Sequence, residues 1–187
     1  NLLLMQITVL HLTTNGRYTK NKQTLKWVEE ALDTVQPDLV EVTGDATAGS
    51  PPGRDKAILA LANIFEERQI YWAYTFGNHD GEHIKGEDGE DVWIGKEGKR
   101  NVLSEYAPSC LETLDTSAGE AFFSDNTRGN EEVYDLLTGY EYSLLARSEE
   151  ELADPDAMGV GNYVIELEDK SGEVVFDIYA YGSGRLR

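Results

Sequence analysis

The segment Gln69-Ile-Tyr-Trp-Ala-Tyr-Thr-Phe-Gly-Asn-His-Asp80 joins an apolar run to a compact group of polar side chains. The run is rich in aromatic residues and predicts a buried strand over residues 70–76. After the turn at Gly77, the residues Asn78, His79 and Asp80 supply an amide, an imidazole and a carboxylate in succession. Such a set on one turn suits metal ligation and proton transfer better than packing. We therefore expect a functional loop at the end of this strand.

Two earlier predicted strands also end in polar residues. Residues 38–43 form a short apolar strand, interrupted by Glu41, that leads into Gly44-Asp45. Residues 5–12 alternate and predict a first strand that carries His11 near its end. Each has a structural alternative, because Gly-Asp is a common turn pair and a histidine at a strand end can simply be hydrogen-bonded in place.

Helical periodicity fills the gaps between these strands. The first predicted helix covers residues 23–35 and the second covers residues 55–68, each with one apolar face. Strand, helix, strand, helix, strand at this spacing predicts two βαβ units with parallel strands and right-handed crossovers. In such sheets the functional loops follow the carboxyl ends of the strands. We therefore expect His11, Asp45 and the 78–80 turn to share one edge.

The remainder of the chain carries weaker signals. Residues 81–101 predict an exposed acidic loop, and residues 102–114 and 130–138 predict helices. Residues 140–146 favour a strand, and residues 162–168 and 173–181 favour a hairpin. Nothing in the pattern reads as a linker, so residues 1–187 are interpreted as a single domain.

Charge limits the classes of partner. The 187 residues include 35 acidic and 16 basic ones, for a formal net charge of −19. A field of that sign repels nucleic-acid backbones and anionic lipids, so we expect neither nucleic acid nor a membrane as partner. No apolar run reaches the ~18 residues of a membrane span, and no signal peptide is recognised at the start. The single Cys110 excludes an internal disulfide, and the compartment is left undetermined.

The motifs Gly44-Asp45 and Gly77-Asn78-His79-Asp80, with His11 before them, resemble those of the calcineurin-like metallophosphoesterases. That family carries Asp-x-His, Gly-Asp and Gly-Asn-His-Asp/Glu in this order. Residues 24–32, 37–45, 70–80, 140–144 and 159–167 together are similar to the branch related to purple acid phosphatases and a group of yeast phosphatases. Residues 81–130 show the poorest similarity.

The resemblance implies a fold and a reaction. The fold would be α/β, with mixed, largely parallel β-sheets flanked by helices, forming the first half of a four-layer α/β/β/α sandwich. Two divalent cations (Mn, Fe or Zn) would activate water for attack on phosphorus. Asp45 would bridge the ions, Asn78 would bind the second ion through its amide oxygen, and His11 would bind the first ion. His79 would act on the substrate as a catalytic residue, oriented by Asp80.

The sequence also departs from the family pattern. The Asp of Asp-x-His is replaced by Val9, and the hairpin ends in Tyr181-Gly-Ser-Gly184 where an Asp is usual in the branch. The histidines of the family's C-terminal half are missing, since the chain contains only His11, His79 and His83. These departures remove ligands from both metal positions.

Two hypotheses follow from the sequence. In the first, the chain is an incomplete domain of a metal-dependent phosphoesterase, whose C-terminal half is absent from this chain or supplied elsewhere, for example by a partner chain. It hydrolyses phosphomonoesters, or less favourably diesters, of small molecules or phosphoproteins, with activity impaired by the missing ligands. In the second, it is a non-catalytic, degenerate or truncated phosphoesterase-fold protein that serves as a binding partner or subunit, and the two metal ions need not be bound. The sequence leaves both open.

Overall fold

The computed structural model describes residues 2–12, 18–47, 54–81, 130–146 and 161–182. The elements in chain order are strand β1 (Leu4–Ile7), helix α1 (Tyr18–Val35), strand β2 (Leu39–Thr43), helix α2 (Arg54–Glu67), strand β3 (Tyr71–Thr75), a 3-10 turn (His79–Gly81), helix α3 (Asn130–Thr138), and strands β4 (Tyr163–Glu168) and β5 (Val174–Ala180).

Strands β1, β2 and β3 form a parallel sheet in that order. The register places Gln6, Glu41 and Ala73 side by side across the three strands. Parallel neighbours in sequence order require a helical crossover between each pair, and α1 and α2 provide them. The predicted α/β class and its two βαβ units are therefore confirmed.

The core lies between the sheet and its helices. Along α1 the predicted apolar face is buried at Leu25, Val28 and Leu32. Helix α2 contacts β3 through Phe65 and Trp72, whose ring centroids are 5.9 Å apart. Because successive strand residues point to opposite faces, Trp72 marks the helical face of the sheet and Glu41 points to the other.

That other face meets the β4–β5 hairpin, which pairs in antiparallel fashion as the sequence predicted. The phenol of Tyr163 on β4 donates a 2.7 Å hydrogen bond to Glu41 on β2. Ile165, two residues along β4, is also buried. The helices therefore lie on one face of the sheet, and the hairpin contacts the other face at Glu41 and Thr75, while Gln6 on β1 stays exposed there.

The first strand is shorter than the sequence predicted. It ends at Ile7 rather than at residue 12, because Val9 and His11 adopt left-handed backbone angles, with φ of 54° and 48°. The segment still follows the end of β2, through backbone hydrogen bonds from His11 to Asp45 (3.0 Å) and from Leu12 to Ala46 (2.8 Å). His11 thus lies in a loop beyond the strand.

One further predicted strand is not formed, and two other predicted segments fall almost entirely on residues that the structure does not describe. Residues 140–146 make an isolated parallel bridge between Ser143 and Trp72 instead of a full strand. The predicted helix at 102–114 and almost all of the predicted loop at 81–101 lie outside the described residues. Within the described ranges, no helix combines the length and the apolar character needed to cross a membrane.

Candidate metal centre

Three side chains from three strand-end loops meet beyond the carboxyl edge of the sheet. His11, Asp45 and His79 each offer one ligand atom, and these atoms all lie within 4.8 Å of one another. His11 Nε2 is 3.8 Å from Asp45 Oδ2, and the two imidazole centroids are 5.1 Å apart. The His11 side chain is 42% exposed and that of Asp45 is 19% exposed, so the cluster opens to solvent.

The backbone around the cluster is held in left-handed conformations. Gly44 and Asp45 have φ of 84° and 53°, and Val9 and His11 lie opposite them in the same region. Aspartate tolerates this conformation, whereas a β-branched residue such as valine is strained by it. Backbone strain of this kind is typical of functional sites and requires a surrounding structure that enforces it.

Two glycines allow the second and third loops to touch. A Cβ placed on Gly77 would lie 2.2 Å from Asp45 Oδ1 and 2.5 Å from the Asp45 nitrogen. A Cβ on Gly44 would lie 2.7 Å from the Cα of Gly77. Both glycines are therefore needed for the close approach that brings Asp45 beside the 77–80 turn.

Asp80 fastens these two loops together. Its side chain is completely buried. Oδ2 accepts hydrogen bonds of 2.9 Å from the backbone nitrogens of Asp45 and Gly77, and Oδ1 accepts bonds of 3.0 Å from the nitrogen and the hydroxyl of Thr47. A carboxylate is an acceptor only, so four donors use most of its capacity. Sequence reasoning missed this bracing role, because no local pattern shows which distant N–H groups will converge.

Asp45 is oriented by the opposite loop in return. Its Oδ1 accepts a 3.0 Å hydrogen bond from the backbone nitrogen of His79, which leaves Oδ2 as the oxygen nearest His11. The two loops are therefore bonded reciprocally, Asp80 to the first and Asp45 to the second. Such preorganisation is what a metal site requires of its supporting residues.

A sequence model of the calcineurin-like phosphoesterases matches residues 5–171. The chain belongs to the calcineurin-like phosphoesterase family. The match spans all three strand-end loops, and it confirms the family that the motifs suggested. No curated protein matches the sequence.

In this calcineurin-like phosphoesterase the structure brings together three of the five predicted site residues at ligand distance, namely His11, Asp45 and His79. Asn78 is half-buried in the same turn, and its role as an amide ligand stays a prediction. So does the orientation of His79 by Asp80, whose hydrogen bonds described above go to Asp45, Gly77 and Thr47.

The donor set fits a divalent transition-metal ion. Imidazole nitrogens and a carboxylate oxygen are the ligands that zinc, manganese and iron take in proteins. Three such ligands would leave coordination positions open for water or substrate, which is the pattern of a catalytic rather than a structural site. Val9, two residues before His11, is 55% exposed and contributes no donor atom from its side chain.

Proposed function

We propose that this calcineurin-like phosphoesterase binds divalent metal through His11 and Asp45, with His79 beside them as a catalytic residue, and hydrolyses phosphomonoesters at that site. The observation that carries the proposal is the convergence of the three ligand atoms within 4.8 Å at the open edge of the sheet. Family membership supports phosphate esters as the general class of substrate.

The metal would polarise the phosphoryl group and lower the pKa of bound water, which supplies the nucleophile for hydrolysis. The chain's own residues hold the reacting groups in place. Asp45 presents Oδ2 to the site while the His79 backbone nitrogen holds Oδ1. We assign His11 and Asp45 as ligands, with Asn78 as a further amide ligand.

We assign His79 the role of proton donor. Its ring is edge-on to His11 at 5.1 Å and half-buried, so it faces the same space as the proposed ligands. An imidazole there can donate a proton to the oxygen of the leaving alcohol, the role that histidine most often takes in general acid catalysis. Asp80 supports this role by bracing the turn that carries His79.

Finer features follow the family resemblance. We propose a site for two ions drawn from Mn, Fe and Zn, and membership of the purple acid phosphatase branch. The ion bound by His11 would be held more weakly than the other, because Val9 replaces the anionic ligand expected beside it. Substrates would be phosphomonoesters of small molecules or phosphoproteins. The charge of −19 makes a nucleic-acid substrate unfavourable.

A second candidate function is supported by Val9 itself. A solvent-exposed valine in place of a ligand is what a phosphoesterase fold that has lost catalysis would show. In that case the chain would act as a binding partner or subunit. The two functions differ in whether the chain turns over a phosphate ester when metal is bound.

The test is hydrolysis of an aryl phosphate by the 187-residue chain in excess Mn(II). We expect turnover that Asp45→Asn abolishes, and that His79→Ala lowers by about 100-fold or more, as loss of a general acid does. Asp38→Asn is the matched control, because Asp38 is an exposed carboxylate at the opposite end of β2. Turnover unchanged in both site variants would overturn the assignment. Bound metal without turnover would favour the non-catalytic function.

A further inference from the structure

Glu41 is a buried carboxyl group in the middle strand of the sheet. It is 6% exposed, and its neighbours across the sheet are Gln6 on β1 and Ala73 on β3, neither of which is charged. An acidic residue at the centre of a buried strand is costly unless it is paired or neutral. The metal site does not use it, since Asp45 is four residues further along.

The hydrogen bonds of Glu41 are unevenly shared between its two oxygens. Oε1 accepts from the Tyr163 phenol at 2.7 Å and from the Thr75 hydroxyl at 3.2 Å. Oε2 is buried and has no hydrogen-bond partner among the residues that the structure describes. An ionised carboxylate spreads its charge over both oxygens, so a bare buried oxygen makes the anion much more expensive than the neutral acid.

Within the described ranges, no opposite charge compensates Glu41. On the described part of the chain, the groups that act on Glu41 are the Tyr163 phenol from the hairpin and the Thr75 hydroxyl from β3, and no cation is among them. Burial raises the pKa of the Glu41 carboxyl, and the two hydrogen bonds only partly oppose the effect. Burial also raises the pKa of Tyr163, and the nearby Glu41 carboxyl adds to that rise, so the phenol stays a donor.

The same three residues attach the hairpin to the sheet. Tyr163 opens β4, and its hydroxyl lies within 3.2 Å of Thr75, which ends β3 two residues before Gly77. At the root of the hairpin, a Cβ on Gly161 would lie 3.3 Å from the ring of Phe76. The hairpin therefore rests on the residues that lead into the metal loop.

We propose that Glu41 is a neutral carboxylic acid that fastens the β4–β5 hairpin to the sheet, and that its ionisation releases the hairpin. Proton loss leaves an uncompensated charge between β2 and β4, and separating the hairpin from the sheet admits water to it. The hairpin is therefore held against the sheet in acid, and this attachment weakens as the pH rises.

The direction of the pH dependence follows from the raised pKa. The unfolded chain titrates Glu41 at its ordinary value of 4.5, whereas the folded chain holds the proton to higher pH. The stability that the neutral form confers is complete below that ordinary value and is lost as the pH rises through the folded pKa. One proton is involved, so the loss in the folding equilibrium constant approaches about tenfold per pH unit in that window.

The test compares unfolding of the 187-residue chain with that of Glu41→Gln, which keeps the shape and stays neutral. Glu166→Gln is the matched control, because Glu166 is an exposed carboxyl on the same hairpin and the substitution is chemically the same. We expect Glu41→Gln to gain stability over the parent as the pH rises, by up to about tenfold per unit, while Glu166→Gln runs parallel to the parent. A parallel course for Glu41→Gln would overturn the proposal.

A second measurement needs only the parent chain. Infrared spectra recorded as the pH is raised should keep the carbonyl band of a protonated carboxylic acid after the exposed acidic residues have ionised, and this band should be missing in Glu41→Gln. Amide hydrogen exchange in β4 and β5, corrected for the intrinsic rate, should speed up as the band disappears. A parent chain whose spectrum matches that of Glu41→Gln at every pH, or exchange in the hairpin that does not follow the band, would contradict the proposal.

Discussion

Asp80 illustrates how one side chain can organise a site without joining it. Replacement by asparagine would turn one acceptor oxygen into an NH2 group facing N–H donors. We expect Asp80→Asn to lower the free energy of unfolding by about 3 kcal/mol, since buried hydrogen bonds to a charged acceptor are lost. Chemical denaturation measures this.

Asp38→Asn is the control for that experiment. Asp38 is exposed and accepts one hydrogen bond, from the Leu3 backbone nitrogen at 2.7 Å. Its replacement should cost no more than about 1 kcal/mol. Equal losses for the two variants would show that the Asp80 bonds do not brace the loops.

The side chain of Val9 is poorly suited to the backbone conformation of this residue. It is β-branched with φ of 54°, a conformation that asparagine and aspartate tolerate. We expect Val9→Asn to raise the free energy of unfolding by about 1 kcal/mol, and Val9→Thr, which keeps the branch, to give no gain. Thermal unfolding of both variants checks this.

Val9→Asp should add a metal effect to the backbone effect. It places a carboxylate two residues from His11, so Mn(II) should bind more tightly than to Val9→Asn, the neutral control of equal shape. Isothermal titration separates the two. Equal affinity in the two variants would show that the segment around residue 9 does not reach the ion.

The sequence could reveal the polar residues of the site but not all of their hydrogen-bond partners. His11, Asp45 and His79 stood out because metal-binding side chains at strand ends have a recognisable chemistry. The roles of Asp80 and Glu41 depend on donors 33 residues and 122 residues away, Thr47 and Tyr163, and no local pattern encodes those meetings.

The contact between the second and third strand-end loops requires a residue without a side chain at position 77. We expect Gly77→Ala to push Asp45 out of place, because the new Cβ would lie 2.2 Å from its Oδ1. Metal affinity should fall together with stability. Titration with Mn(II) and thermal unfolding measure the two effects.

Gly139→Ala is the comparison at the end of α3, where a Cβ would lie 3.3 Å from the Leu136 carbonyl oxygen. This contact is tight but far milder, so metal affinity should stay at the parent value. Loss of affinity in Gly139→Ala as well would mean that the effect is general destabilisation, not displacement of Asp45.

The helices and the parallel strands could be predicted from their period and apolar faces, although α1 begins at Tyr18, five residues before its predicted start. The end of β1 could not, since Val9 and His11 favour a strand by composition and adopt left-handed angles only because the neighbouring loop binds their backbone. Residues 140–146 likewise read as a strand but form only one bridge, at Ser143.

For the whole molecule the charge of −19 sets the response to salt. Like charges on a compact chain repel one another, and salt screens that repulsion. We expect the melting temperature to rise when NaCl is raised from about 10 mM to about 150 mM, where the Debye length falls from ~30 Å to ~8 Å. The rise should shrink at about pH 4, where carboxyl groups approach their ordinary pKa. A melting temperature that is independent of salt at neutral pH would contradict this.

The proposed function depends most directly on metal binding at the cluster where His11, Asp45 and His79 meet. The measurement is metal content per chain by elemental analysis, after equilibration with Mn(II), Fe(II) or Zn(II) and removal of free ion, for the parent, Asp45→Asn and Asp38→Asn. We predict at least one ion per chain in the parent and in Asp38→Asn, and none in Asp45→Asn. No ion in the parent, or equal content in all three, would contradict the metal centre.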